Sequence, residues 1–120
     1  MGYTVDDVKS ISSAQLQQRL HDEEAPFLLD VREPEELSDG AIAGSVNIPM
    51  REVAGRLAEL PKDRDIVVIC HLGSRSAKIT TMLNALGYEK AVNLSGGMDA
   101  WLSPIACHPE RSEAKSKIPS

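Results

Sequence analysis

The spacing of apolar and polar residues divides the first hundred positions into alternating short strands and helices. Ile11-Ser12-Ser13-Ala14-Gln15-Leu16 has the form of a helix start, with Ser12 as N-cap, Gln15 as capping-box partner and Ile11 stapled against Leu16. The pattern predicts a helix from there to about Glu24, stopped by Pro26. Phe27 to Val31 is a short apolar run broken by one carboxylate, Asp30, and reads as a strand. Pro34 begins a short acidic helix through Leu37 that Gly40 closes. Ser45 to Ile48 predicts another strand, halted by Pro49. Arg51 to Leu60 predicts a helix with Val53, Leu57 and Leu60 on one face, ended by Pro61.

Ile66-Val67-Val68-Ile69 is unbroken and β-branched, as expected of a strand buried on both faces of a parallel sheet. Ile79, Met82, Leu83 and Leu86 follow at i, i+3, i+4 and i+7, with Gly87 as C-cap. Ala91 to Leu94 is the last predicted strand, and Gly96-Gly97 opens a final helical turn bearing Trp101. Strands alternate with helices throughout. The expected fold is therefore α/β, an open, mostly parallel sheet of about five short strands flanked by helices. From Ser103 the periodicity stops, so residues 1–102 are expected to form the domain and 103–120 a polar, mobile tail.

Composition narrows the class. The 120 residues carry 13 Lys plus Arg against 18 Asp plus Glu, a net charge of -5, which disfavours nucleic-acid partners. Aromatics are only 3%, so the core must come from Val, Ile, Leu and Ala. Ile66 to Cys70 is the longest apolar run, far below the roughly 20 residues that span a bilayer. The N-terminus lacks a basic segment followed by an apolar one, and Asp6 stands where a myristoylation motif wants Ser or Thr. Two cysteines, Cys70 and Cys107, could pair once, but a chain this apolar needs no staple. A reducing, cytoplasmic setting without membrane contact is expected.

The chemistry is concentrated in Cys70-His71-Leu72-Gly73-Ser74-Arg75-Ser76. This loop joins a buried strand to an amphipathic helix, so it sits at the C-terminal edge of the sheet, where open α/β folds bind ligands. A loop curling into a helix N-terminus points several backbone N–H groups inward, an arrangement that suits an oxyanion or a thiolate. Gly73 supplies freedom for the curl and Arg75 adds a fixed positive charge. Cys70 is thus a candidate nucleophile that needs no neighbouring general base.

Four segments in order resemble the single-domain rhodaneses, or sulfurtransferases: Leu29 to Arg32, Gly40 to Pro49, the cysteine loop, and Leu94 to Trp101. The likeness spans roughly residues 5 to 102. It implies that Cys70 accepts a sulfane sulfur as a persulfide and passes it to a nucleophilic acceptor. It further implies that His71, Leu72, Gly73, Ser74, Arg75 and Ser76 cradle the outer sulfur or the departing sulfite, with Asp30 and Arg32 supporting the loop. Expected partners are a small-molecule sulfur donor and an acceptor thiol, cyanide or partner protein, and no cofactor is implied. Ala41 stands where the family commonly carries His and is assigned no chemistry. With one Arg in the loop, thiosulfate and a persulfide are equally plausible donors.

Other readings compete at each position. Asp30 and Arg32 could be only a structural ion pair, and Arg75 only a solvated residue, although cations are unfavourable in a helix first turn. Glu33, Glu35 and Glu36 read as a solvated run complementing a helix dipole, and His21 as an exposed helical residue. Cys70-His71 with Cys107-His108 could suggest zinc, but adjacent Cys-His is poor ligand spacing, so no metal is expected. Gly96-Gly97 is a turn rather than a nucleotide loop. Two further functions stand beside sulfur transfer: a cysteine-dependent phosphatase, and a non-catalytic rhodanese-like binding or regulatory module. Phosphatase loops typically place five residues between Cys and Arg, whereas here His71 to Ser74 makes four.

Overall fold

The computed structural model describes residues 8–22 and 24–102. The segment from Ser103, including Cys107 and His108, lies outside the described residues, as do Tyr3 and Asp6. In chain order the regular elements are β1 (Ser10–Ile11), α1 (Ser13–Arg19), β2 (Phe27–Asp30), β3 (Val46–Asn47), β4 (Ile66–Ile69), α2 (Ser74–Ala85), β5 (Ala91–Leu94) and α3 (Gly97–Leu102). The five strands form one sheet in the order β1-β5-β4-β2-β3. Every pairing is parallel.

The capping box forms as read: Ser12 Oγ accepts from Gln15 N at 3.1 Å, and Ser12 N donates to Gln15 Oε1 at 2.9 Å. The helix it starts is shorter than its sequence suggests, ending at Arg19 rather than near Glu24. Only Ser13 and Leu16 of α1 are buried, so little apolar surface holds a further turn in place. Ile11, read as part of that helix start, also belongs to β1, with Leu94 as its register partner.

β4 lies at the centre of the sheet, covered on both faces, which accounts for its uninterrupted apolar composition. Side chains alternate across a strand, so Ile66, Val68 and Cys70 enter one core while Val67 and Ile69 enter the other. The first core is closed by Ile79 and Leu83 of α2 together with Val53 and Leu60. The second is closed by Leu16 of α1 and Met98 of α3. Each such residue taken fully out of water contributes about 1.5–3 kcal/mol before conformational entropy is set against it.

Four further sequence expectations are corrected. Arg51 to Leu60 is not one α-helix but two short 3-10 segments, Met50–Gly55 and Leu57–Glu59. Gly55, the last residue of the first segment, weakens helical propagation, and the burial of Val53 and Leu60 against the sheet is satisfied by tighter turns. The acidic helix from Pro34 is likewise 3-10 and extends to Asp39 before Gly40 turns the chain at φ 122°. Leu86 caps α2 from outside the helix and is exposed; the buried face runs through Ser76, Ala77, Ile79, Thr80 and Leu83. The β3 strand contracts to Val46–Asn47. Among the described residues, no helix is long and apolar enough to cross a membrane.

Strand order places the candidate site. The chain leaves β2 toward β3 on one side and leaves β4 toward β5 on the other. The C-terminal ends of these adjacent strands therefore flank a switch point, the crevice where open α/β sheets bind ligands. Asp30 ends β2, and Cys70 follows β4 directly.

Candidate active site

Cys70 has no exposed surface, whereas His71, Leu72 and Ser74 of the same loop are exposed. Gly73 takes φ 104°, the left-handed conformation that lets the chain curl back before α2 begins. The curl brings Gly73 N–H to Cys70 Sγ at 3.0 Å and Ser76 Oγ within 3.2 Å of the same sulfur. Ser76 is itself fully buried and donates its hydroxyl hydrogen to Asn93 Oδ1 on β5. A hydroxyl has one hydrogen, so toward a neutral Cys70 the Ser76 oxygen accepts. An ionised sulfur would compete with Asn93 for that hydrogen. The sequence marks Asn93 only as the one polar residue of an otherwise apolar strand, and its burial shows only in the structure.

The Gly-Gly turn fixes the outer wall of this loop. Gly97 has φ 58°, and a Cβ there would lie 2.4 Å from the Cys70 carbonyl oxygen and 2.6 Å from that of His71. Only glycine lets the start of α3 approach so closely. The approach is used: Met98 N–H donates to the Cys70 carbonyl at 2.7 Å and Asp99 N–H to the His71 carbonyl at 2.9 Å. The sequence reading of a turn holds, and its purpose is to pack α3 against the cysteine loop.

Asp30 and Arg32 form a buried ion pair at 0% and 2% side-chain exposure. Arg32 Nη2 meets Asp30 Oδ2 at 2.8 Å, and Nε meets Oδ1 at 3.0 Å. The guanidinium also donates to the carbonyls of Glu36 at 3.1 Å and Gly40 at 2.8 Å. The hydrogen bonds at the cysteine sulfur are made by Gly73 and Ser76, not by this pair. Together they hold the 33–40 segment against the end of the sheet.

That segment carries a residue the sequence reading passed over. Glu36, read there as solvated, is only partly exposed and accepts both Arg75 Nη1 at 2.8 Å and Nη2 at 2.9 Å. Its carboxylate also accepts Glu33 N–H at 3.0 Å. The Arg75 guanidinium, aided by the Glu33 N–H, lowers the Glu36 pKa from 4.5 to about 2 despite opposing burial. Hydrogen bonding to Glu36 correspondingly raises the pKa of Arg75. The fixed positive charge that Arg75 brings to the loop is therefore compensated. A lone glutamate in an acidic run gives no local sign of a partner 39 residues away.

The pair has a pH signature. A depressed carboxyl pKa stabilises the fold fully above its unfolded value of 4.5, and the contribution disappears as pH falls toward about 2. The unfolding free energies of the wild type and Glu36→Gln should therefore converge over that window, modestly because the pair is about one-third exposed and screened. Denaturant melts at stepped pH check this. A gap that stays constant through the window would contradict the assigned pairing.

Beside the loop, Arg32, Glu36, Asp39, His71, Met98, Asp99 and Leu102 line an open cavity of about 290 Å³. Among the described residues, no cluster of three or more His, Cys, Asp or Glu side chains is placed to hold a metal ion.

Comparison with known proteins agrees with this architecture. The rhodanese-like domain family matches residues 12–104. A sulfurtransferase of Allochromatium vinosum is 42% identical over 94 residues, covering 78% of this chain and 88% of that protein. The putative sulfurtransferase YtwF of Bacillus subtilis is 39% identical over 95 residues, covering 79% and 91%. A crystal structure of a rhodanese-like domain protein from Staphylococcus aureus superposes with a TM-score of 0.75 at 35% identity, covering 80% of this chain and 93% of that one. The switch-point cysteine loop, its parallel sheet and these relatives place the chain in the rhodanese-like domain family.

Proposed function

We propose that the chain is a sulfurtransferase or persulfide carrier in which Cys70 takes a sulfane sulfur from thiosulfate or a persulfide and hands it to a thiophilic acceptor. The observation that carries this reading is the convergence of Gly73 N–H and Ser76 Oγ on one cysteine sulfur at the end of β4. The relatives named sulfurtransferase support the same general activity.

With thiosulfate, the Cys70 thiolate attacks the outer sulfur, a new S–S bond forms, and the S–S bond of thiosulfate breaks to release sulfite. The acceptor is a small thiol, cyanide or a protein thiol. Its attack on the outer sulfur of the Cys70 persulfide regenerates the thiolate. His71, Leu72, Gly73, Ser74, Arg75 and Ser76 form the wall around the transferred sulfur, while Asp30 and Arg32 brace the loop from behind. Because Cys70 is fully buried, loading requires the loop that exposes His71, Leu72 and Ser74 to part around the sulfur. A reducing cytoplasm, which keeps Cys70 a thiol, completes the proposal.

The test is the intact mass of the protein after incubation with thiosulfate, then with an acceptor thiol. A gain of one sulfur atom, reversed by the acceptor, is expected. Absence of that gain with every sulfane donor would overturn the proposal. Cys70-dependent hydrolysis of an aryl phosphate would overturn it in favour of a phosphatase, whose oxygens need more N–H donors than this four-residue loop offers.

A further inference from the structure

We infer that Glu36 determines donor selectivity: by occupying both ends of the Arg75 guanidinium, it sets the loop against dianionic donors such as thiosulfate and in favour of donors of lower charge. This deepens the sulfur-transfer reading and rests on it.

Arg75 is the one Lys or Arg between Cys70 and Ser76. A free guanidinium there would present a fork suited to a sulfonate-like oxyanion. In the structure that fork is spent on Glu36, with both contacts under 3.0 Å. The glutamate is no loose surface residue able to swing aside. Its carboxylate accepts Glu33 N–H, and its own carbonyl accepts from Arg32, whose guanidinium is locked to buried Asp30. The chain of contacts from β2 to the cysteine loop thus delivers a fixed negative charge to the only cation of the loop.

The neighbouring cavity repeats this charge pattern. In its lining Arg32 is paired with Asp30 and Glu36 with Arg75, which leaves the carboxylates of Asp39 and Asp99 beside His71. A dianion entering there meets more negative than positive charge. A monoanion feels half that repulsion, and a neutral or zwitterionic persulfide none.

Two sulfane donors of similar shape isolate the charge. Thiosulfate is a dianion; methanethiosulfonate anion replaces one oxyanion with a methyl group and carries a single charge. Each yields the same Cys70 persulfide, releasing sulfite or methanesulfinate respectively. Loading rates of both are measured by intact mass at low and high ionic strength, for wild type, Glu36→Gln and Arg75→Gln. Glutamine at 36 retains an acceptor for Glu33 N–H, and thermal melts establish that each variant is folded.

Glu36→Gln is expected to raise the thiosulfate-to-methanethiosulfonate ratio about fivefold at low salt, with the gain fading as salt is added. Arg75→Gln leaves Glu36 uncompensated and should move the ratio the opposite way. A merely structural defect would slow both donors alike and leave the ratio in place. A ratio unmoved by either variant, with both donors still loading Cys70, overturns the inference alone. Failure of wild-type protein to load from either donor overturns the sulfur-transfer reading and this inference with it.

Discussion

Replacing Cys70 with Ser is expected to leave the fold intact and abolish sulfur transfer. The substitution exchanges a sulfur for an oxygen at a site already furnished with the Gly73 N–H and the Ser76 hydroxyl. The new hydroxyl finds hydrogen-bond partners, so the change in stability should be within about 1 kcal/mol. An alcohol cannot form a persulfide, and its pKa lies far above that of a thiol, so no covalent intermediate forms. Thermal melting combined with donor turnover and intact mass checks both halves. Turnover by a correctly folded Cys70→Ser protein would show that some other residue carries the sulfur.

The largest effect on stability is expected at Arg32. Arg32→Ala removes the partner of a carboxylate with no exposure and empties a fully buried volume. Breaking a buried pair from one side typically costs about 3–5 kcal/mol, because the remaining charge stays desolvated. Small domains hold only about 5–15 kcal/mol in total. The variant also loses the donors to the Glu36 and Gly40 carbonyls, so the 33–40 segment loses its anchor. Urea denaturation should show a large fall in midpoint, and substituting Asp30 as well should recover part of it. A loss below about 1 kcal/mol would mean that the pair contributes little and that the segment is held otherwise.

The two substitutions act on opposite sides of one construction. Cys70 occupies the end of the central strand, where packing on both faces holds the backbone still. Arg32 acts through the segment it binds, which delivers Glu36 to Arg75. Placing reactive groups on rigid strand ends and the tuning charges on attached loops lets the charges vary without rebuilding the sheet.

What the sequence determined by itself is whatever depends on neighbours within a few positions. Ile66-Val67-Val68-Ile69 has no polar face, so it could only be a strand covered on both sides, and its limits in the structure are those read from the residues. Ser12 and Gln15 are three apart, the spacing of a capping box, and the box forms. Strand, cysteine loop and helix are contiguous, so the site was legible as a loop at a strand end. The tertiary structure decided what depends on groups distant in the chain. Ser10–Ile11 is too short to be a strand alone and becomes β1 only because β5 offers an edge for pairing. The stretch from Arg51 to Leu60 carries a helical pattern, yet burial of Val53 and Leu60 on the sheet draws it into 3-10 turns. Glu36 and Arg75 meet across the switch point, and Ser76 meets Asn93 on the neighbouring β5; strand order, not sequence separation, sets which side chains are within hydrogen-bond reach.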